Sequence, residues 1–344
     1  MPQTKPYISV IIITYNRKEF ILKAIKSVIK QTLPRQYYEI IVVKNIKDKE
    51  IDTFCKKNRI TKILVNEQLT SGKYLHIGIS KSKGEIVCFL EDDDLFDKKK
   101  LEIILNEFKK NKDLIYYHNA YDIINSEGKK ISAEHSNFSG RTITTKELQR
   151  YLPELISNGI ADNVSSISIR KSLFNNLDKL YNSEVKVQTD NLLFFLSTDN
   201  NKMQIIDPTI LTNYRKHNVS TKGGATTTHD INTLEKFRTE FSRGTEITIN
   251  DLKEIYKQVS NPVCKECLFY LITSKKLSTY LTDKKQAQKI GIKEFTSYII
   301  YVLRSRHKLN NILLSSLFLA AKIAPNTTLK FYYNRYMKKY QVGR

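Results

Sequence analysis

The residues best suited to chemistry form a run of four carboxylates. The run is Glu91, Asp92, Asp93 and Asp94, and apolar residues flank it in the stretch FLEDDDLF. Like charges held this close repel one another. A divalent cation at the end of a buried strand removes that repulsion, because hard cations are bound by carboxylate oxygens. A solvated turn that happens to be acidic is the alternative, and the surrounding elements decide between the two.

The first 120 residues predict how this run is positioned. Apolar, β-branched runs predict strands at 7–14, 39–43, 62–65 and 85–90, and helical spacing predicts helices at 19–31, 51–58, 71–82 and 99–111. Apolar strands that alternate with helices indicate a parallel sheet covered on both faces. Ligands of such sheets bind at the carboxyl ends of the strands. The acidic run, Thr14–Arg17 and Lys44–Asn45 all follow strands, so we expect them at one edge.

The remaining chain gives a weaker pattern. It loosens between residues 116 and 141. The later predictions are a strand or turn leading into a helix at 141–152, a strand followed by a helix start at 165–174, and strands at 203–207 and 210–217. A helix is predicted at 188–197 and a mobile loop at 220–230. Residues 231–344 are mostly helical by pattern. We therefore expect a catalytic domain at 1–230 and a helical, basic region at 231–344.

Composition restricts the partners. The chain of 344 residues has 57 Lys and Arg against 35 Asp and Glu, a net charge of +22, which favours anionic partners. Residues 295–344 contain nine Lys or Arg and no acidic residue, so the excess belongs partly to the tail. Because no DNA- or RNA-binding motif is present, we expect no nucleic-acid partner.

The cysteines and the apolar runs predict a cytoplasmic protein. Cys264 and Cys267 form a CxxC without a second pair, which favours one helix face over a metal site. The run Ile8–Ile13 is too short for a signal peptide core or a membrane span, and 312–324 is also short of a span. Nothing in the four cysteines requires an oxidising compartment.

Five segments in order resemble the family-2 inverting glycosyltransferases of the GT-A fold. They are SVIIITYNR (Ser9–Arg17), IKSVIKQTLPRQYYEIIVV (Ile25–Val43), GEIVCFLEDDDLF (Gly84–Phe96), QTDNLL (Gln188–Leu193) and YRKHNVS (Tyr214–Ser220). The resemblance implies an α/β fold: a Rossmann-like mixed sheet with helices on both faces, plus a mainly helical C-terminal region. It also implies a metal-dependent hexosyltransferase that moves a sugar from a nucleotide-sugar donor to a glycan or lipid-linked acceptor. UDP is the commonest donor nucleotide in the family, with GDP and dTDP as alternatives.

The resemblance assigns the metal and the base. Asp93 takes the position that binds Mn²⁺ or Mg²⁺, with Glu91 and Asp92 beside the nucleotide sugar. His217 is a second candidate metal ligand, and a structural histidine is its alternative. Asp190 takes the position of the base that removes a proton from the acceptor hydroxyl. Its alternative is a charge that satisfies a helix dipole.

The nucleotide site departs from the family pattern. Thr14, Tyr15 and Arg17 match residues that hold the base and ribose in the family. Lys44 and Asn45 replace its acidic pair, and Asn45 keeps the ability to hydrogen-bond a base.

Two further positions leave alternatives open. Lys73 reaches the diphosphate or is a solvated helix lysine, and Thr189 replaces the usual glutamate before the base. A catalytically inactive relative that binds nucleotide sugar or a partner is therefore the alternative function.

The C-terminal region suggests a surface role. Residues 308–325, followed by a basic and aromatic tail, have the pattern of an interfacial membrane helix. We expect attachment to the cytoplasmic face of an anionic membrane, and an amphipathic helix packed on its own domain is the alternative. These helices are also candidates for covering the acceptor side or for forming a homodimer.

Overall fold

The computed structural model describes residues 6–132, 141–143, 147, 162–174, 183–200, 202–216, 219–222, 225–228, 234–282, 290–304 and 308–341. The described residues divide into two compact units. The first is drawn from 1–148, 158–184 and 189–216, and the second from 149–157, 185–188 and 217–344. The boundary that we predicted after residue 230 stays a prediction.

A mixed β-sheet forms the centre of the first unit. Its strands are β1 (Ile8–Thr14), β2 (Tyr38–Lys44), β3 (Thr61–Leu64), β4 (Ile86–Glu91), β5 (Leu95–Phe96), β6 (Leu114–Ile124), β7 (Lys130–Ser132), β8 (Arg141–Ile143), β9 (Ile167–Arg170) and β10 (Met203–Arg215). Their order is β3-β2-β1-β4-β9-β6-β10-β5, with β7 beside β6 and β8 beside β10. The first four strands are parallel, as predicted.

The direction of the later strands decides which residues reach the ligand edge. Strand β9 is antiparallel to both β4 and β6, and β10 is parallel to β6. Strands β4, β6 and β10 therefore run the same way. The carboxyl ends of all three lie at the edge where β1 and β2 also end.

Helices cover both faces of this sheet. They are α1 (Ile21–Ile29), α2 (Lys49–Lys57), α3 (Ser71–Lys81), α4 (Lys100–Lys110) and α5 (Thr189–Asp199). Alternate residues of β1, such as Val10 and Ile12, join a buried cluster with α1, α2 and α4. Ile11 points to the opposite face, where a Cβ built on Gly78 of α3 lies 2.5 Å from its Cγ2. The absence of a side chain at Gly78 lets α3 approach the sheet this closely.

The long strands β6 and β10 differ from the sequence predictions. Strand β6 fills part of the stretch where we predicted no regular element, and its first seven residues are buried. Strand β10 joins two predicted strands into one, with register shifts on each side of Ile210. The bulges let a strand continue through Pro208, which has no N–H to donate.

The second unit begins its long C-terminal segment with a hairpin. Strand β11 (Val219–Lys222) pairs antiparallel with β12 (Ala225–Thr228). Our prediction of a mobile loop was therefore wrong for these residues. Threonine is β-branched and favours strands, and a Gly-Gly pair between two such runs is a hairpin signal.

Helices make up the rest of the second unit. They are α6 (Leu234–Gln258), α7 (Pro262–Thr282), α8 (Ile292–Arg304), α9 (Lys308–Ile323) and α10 (Pro325–Gln341). Cys264 and Cys267 form no disulfide and are both buried on α7, which confirms that they share a helix face. Asp251 of α6 is buried and accepts hydrogen bonds from the backbone N–H groups of residues 186–188. Within the described ranges, no helix combines the length and the apolar character needed to cross a membrane.

Candidate active site

The acidic run turns sharply at the carboxyl end of β4. The Asp94 N–H donates to the Glu91 carbonyl oxygen at 3.2 Å, so the chain reverses within one tight turn before β5. The turn separates the four side chains into two groups. Ligand oxygens of Glu91, Asp93 and Asp94 lie within 4.8 Å of one another, whereas Asp92 is held by the loop after β1.

Asp92 anchors the loop that follows β1. Its Oδ2 accepts a hydrogen bond from Thr14 Oγ1 at 2.6 Å, and its Oδ1 accepts from Arg17 Nε at 2.9 Å. The Arg17 guanidinium also pairs with Asp93, with 2.7 Å between Nη2 and Oδ2. Four predicted site residues, Thr14, Arg17, Asp92 and Asp93, are therefore brought together. In this structure Asp92 and Arg17 satisfy each other, so Asp92 orders the loop.

The trio of Glu91, Asp93 and Asp94 has the chemistry of a divalent cation site. Burial and the nearby charges of Asp93 and Asp94 raise the pKa of Glu91 well above its ordinary value. Burial and the charge of Asp93 raise the pKa of Asp94 in the same way. Asp94 Oδ2 is buried and has no hydrogen-bond partner among the described residues. A hard cation supplies the missing partner and offsets the repulsion, so these residues fit Mn²⁺ or Mg²⁺.

Arg215, the last residue of β10, fastens the acidic turn. Its backbone N–H donates to Asp94 Oδ1 at 2.8 Å, and its Nε donates to the Asp93 carbonyl oxygen at 2.7 Å. The guanidinium lies 4.6 Å from the centre of the Phe20 ring, and Nη1 donates to the carbonyl oxygen of Asn125 at 2.7 Å. Arg215 is 2% exposed. Its side chain therefore holds the acidic turn in place.

A buried lysine, Lys100, is linked to the acidic turn through Ser165. Lys100 is 0% exposed, and its Nζ donates to Asn119 Oδ1 at 2.8 Å, to the Ser165 carbonyl oxygen at 2.6 Å and to Thr212 Oγ1 at 3.0 Å. Ser165 Oγ in turn accepts the Glu91 N–H at 2.9 Å. Burial lowers the pKa of Lys100 to about 7. The three acceptors match the three N–H groups of an ammonium.

Asp190 lies close to the acidic trio. Its Oδ2 accepts the Asn163 N–H at 3.3 Å, and Asn163 Oδ1 accepts the Ser165 N–H at 2.9 Å. The charge of Asp190 also contributes to the raised pKa of Glu91. Hydrogen bonds thus connect Asp190 through Asn163 and Ser165 to the end of β4. Asn163 has a φ of 74°, a left-handed backbone that asparagine tolerates better than most residues.

The departures from the family pattern have a structural explanation. Lys44 is 1% exposed and forms an ion pair with Asp52 of α2, with 2.8 Å between Nζ and Oδ1. Its charge is therefore neutralised within the fold. Asn45 exchanges hydrogen bonds with Asn16: the Asn16 N–H donates to Asn45 Oδ1 at 2.8 Å, and Asn45 Nδ2 donates to Asn16 Oδ1 at 2.7 Å. Asn45 thus holds the turn after β1, where Asn16 has a φ of 55°.

The remaining predicted site residues differ in their placement. Tyr15 packs edge-on against Tyr74, with ring centres 5.8 Å apart. Lys73 pairs with Glu184 at 3.0 Å in a partly exposed ion pair. His217 lies outside the described residues. The roles assigned to all the predicted site residues stay predictions.

Sequence reasoning missed Lys100, Ser165 and Asn163. Lys100 begins an amphipathic helix, so the sequence around it predicts an exposed lysine. Its hydrogen-bond partners are 19, 65 and 112 positions away along the chain, and no local pattern shows them. Ser165 lies in a stretch that alternates like an ordinary strand. No local pattern marks these residues, and only the sheet order places them next to the acidic turn.

Comparison with known sequences finds a matching family model and several relatives. Residues 9–175 match the family model Glycosyl transferase family 2. An uncharacterized glycosyltransferase of Rickettsia conorii is 36% identical over 137 residues, 39% of this chain and 22% of that protein. Glycosyltransferase AglE of Haloferax volcanii is 33% identical over 98 residues, 27% of this chain and 32% of AglE. The chain thus spans about a fifth of the Rickettsia protein and a third of AglE.

The fold is also found in solved structures. Staphylococcus aureus TarS 1–349 in complex with UDP-GlcNAc has a TM-score of 0.56 and 16% identity, covering 96% of this chain and 92% of that one. A further S. aureus TarS structure has a TM-score of 0.53 and 15% identity, covering 95% of this chain and 55% of that one. Likeness at this identity establishes the fold alone, and the predicted GT-A fold with a helical C-terminal region is confirmed.

Proposed function

We propose that this chain transfers a sugar from a nucleotide-diphosphate donor to an acceptor hydroxyl, because its residues 9–175 match the family model Glycosyl transferase family 2. The observation that carries this proposal is the placement of Asp190 beside the trio of Glu91, Asp93 and Asp94. A base and a cation site at the carboxyl edge of one sheet are what an inverting transfer requires.

The chain's own residues divide the work of the reaction. Asp190 removes the proton of the acceptor hydroxyl as that oxygen attacks the anomeric carbon and the diphosphate leaves from the opposite side. Glu91, Asp93 and Asp94 hold Mn²⁺ or Mg²⁺, which when bound supplies positive charge for the leaving diphosphate. Arg17, partly exposed beside the trio, orders the loop after β1 that faces the donor. The direct displacement inverts the anomeric configuration.

The donor that we propose is a UDP-sugar. The support is the TarS structure with UDP-GlcNAc, which shares the fold of this chain. The acceptor that we propose is a glycan or a lipid-linked glycan. A curated relative, 29% identical over 99 residues (27% of this chain and 17% of that protein), is the poly(ribitol-phosphate) β-N-acetylglucosaminyltransferase TarS of S. aureus.

The active enzyme is favoured over an inactive relative. The substitutions that suggested inactivity were at Lys44, Asn45, Glu91 and Thr189, and the first two have partners in the fold. Lys44 is neutralised by Asp52, and Asn45 orders the turn at Asn16. Neither residue places an unpaired charge in the donor site.

A thermal-shift experiment tests the donor site. The full chain is heated with UDP, GDP, dTDP or CMP, each with Mn²⁺, with Mg²⁺ and with chelator. We expect UDP to raise the melting temperature only when a metal is present. Asp93→Asn removes one ligand charge of the trio, so it should abolish the metal-dependent shift.

The matched control is Asp113→Asn. Asp113 is exposed and precedes β6 at the opposite edge of the sheet, so its variant should keep the full shift. A shift that survives Asp93→Asn would place the nucleotide elsewhere. Release of UDP from UDP-GlcNAc by the wild type, in the presence of acceptor, then tests transfer itself.

A further inference from the structure

A pocket of about 550 Å³ lies in the second unit, where α6, α7 and α8 meet. Its volume is within the range of ordinary small-molecule sites. Four lysines line it: Lys253 and Lys257 from α6, Lys276 from α7 and Lys293 from α8. Glu294 is the one acidic residue of the described lining, so the pocket carries an excess of positive charge.

Glu294 offsets one of these four positive charges. Its Oε1 accepts from Lys276 Nζ at 2.8 Å and from Thr273 Oγ1 at 3.1 Å. The side chains of Lys276 and Glu294 are 14% and 19% exposed, so this ion pair forms part of the wall. The charge of Glu294 is therefore taken by Lys276. Lys293 is exposed at the pocket. Lys257 Nζ lies 3.2 Å from Glu254 Oε2 on the same helix, but its side chain keeps 72% of its surface exposed, so an anion in the pocket can also contact it.

Apolar side chains form the other part of the lining. Ile272 is 8% exposed, Phe269 is half-buried, and Tyr256 keeps 37% of its surface exposed. A lining that combines lysines with apolar side chains favours a ligand that has both an anionic group and a hydrocarbon part. A hydrated polyanion gains no binding free energy from contact with Phe269 and Ile272. A neutral apolar ligand gains none from the charges of the lysines.

We propose that this pocket binds an amphipathic anion, a lipid whose phosphate group lies among the lysines while its hydrocarbon chain covers Phe269 and Ile272. Apolar contact supplies affinity in proportion to the buried area, and the lysines select for the phosphate. The site is separate from the acidic trio and needs no transfer reaction to be detected.

Calorimetric titration of the full chain with decyl phosphate, below its micelle concentration, tests this proposal. We expect one molecule to bind per chain, with decanol and inorganic phosphate each at least tenfold weaker. Lys257→Gln with Lys293→Gln should weaken decyl phosphate about tenfold, since two ion pairs are lost. Ser297→Trp, at an exposed lining position, should fill the pocket and abolish binding.

Matched variants separate the pocket from general charge and bulk. Lys275→Gln with Lys56→Gln removes the same charge at exposed positions outside the lining, and Thr296→Trp adds the same bulk beside it. Both should bind as the wild type does. Equal binding of inorganic phosphate, equal loss in the matched variants, or no binding of decyl phosphate would overturn the proposal. A UDP-dependent thermal shift in the pocket variants confirms that they are folded.

Discussion

At the scale of single residues, the site depends on pairs that are distant in sequence. Asp92 and Arg17 satisfy each other, while Glu91, Asp93 and Asp94 face one another with raised pKa values on Glu91 and Asp94. Neighbouring carboxylates thus have different tasks, because a tight turn points them in different directions. The sequence predicts a cation site here, but it does not predict this division.

Asp190→Asn tests the proposed base. The amide keeps the shape and the hydrogen bond from Asn163 but cannot accept a proton, so kcat should fall about 10³-fold with little change in KM for the donor. Steady-state kinetics with a UDP-sugar measures both constants. The variant should keep the metal-dependent thermal shift. Asp199→Asn, at the other end of α5, is the matched control, and an equal loss in both would contradict the assignment.

Lys100→Met tests the buried support. Burial lowers the pKa of Lys100 from 10.5 to about 7, so between these values the unfolded chain holds a proton that the folded chain lacks. The stability of the wild type relative to the variant should therefore rise with pH above about 7, by up to about 1.4 kcal/mol per unit. Below pH 7 the difference should be constant.

Denaturant unfolding of the wild type and of Lys100→Met from pH 6 to 9.5 measures the difference in their unfolding free energies. The contributions of the other titratable groups are the same in both proteins and cancel in this difference. A difference that is flat across the whole range would show that Lys100 stays charged in the folded protein. The three acceptors around Nζ would then be the reason.

At the scale of elements, the prediction succeeds where local pattern and burial agree. Strands β1 and β4 are predominantly apolar runs, and their predicted bounds lie within one residue of the observed ones at each end. Strand β6 was missed because it buries polar residues: His118 Nε2 lies 2.9 Å from the Asp162 carbonyl oxygen, and Asn119 Nδ2 donates to Thr212. These partners are 44 and 93 positions away, so no local window shows that the polar groups are satisfied.

Gly78→Ala tests the packing of α3 on β1. The new Cβ would lie 2.5 Å from Ile11 Cγ2, so the helix must shift, and we expect a loss of about 1–3 kcal/mol in unfolding free energy. Ile11→Ala removes the clashing atom. In that background Gly78→Ala should cost much less, and chemical denaturation of the four proteins measures the coupling. If the losses in unfolding free energy of the two single variants are additive, the structure relieves the clash without involving Ile11.

At the scale of the whole molecule, charge is the most uneven property. The chain has 57 basic and 35 acidic residues, and α9 and α10 lie in a segment with no acidic residue. Leu319, Ile323 and Phe331 expose large apolar surfaces on these helices, at 52%, 90% and 51%. Peripheral attachment to an anionic membrane, and with it the predicted location, stays a prediction.

Flotation with vesicles tests the membrane prediction. The full chain should float with vesicles that contain anionic lipid and remain below neutral ones, and binding should weaken with salt because surface charges are screened. Neutralising Lys330, Arg335, Lys338 and Lys339 with Gln should reduce flotation. The matched control neutralises Lys47, Lys57, Lys83 and Lys110 in the first unit. Failure to float at low salt would exclude attachment.

The way the acidic turn is fastened has a thermodynamic consequence. The turn is held in the absence of ligand by contacts from three separate segments of the chain: an ion pair with Arg17 and hydrogen bonds with Arg215 and Ser165. The cation site is therefore preorganised, so donor binding does not have to order it and loses little conformational entropy. Calorimetry should show a small heat-capacity change for UDP with metal, typical of a rigid receptor and unlike the large change of folding coupled to binding.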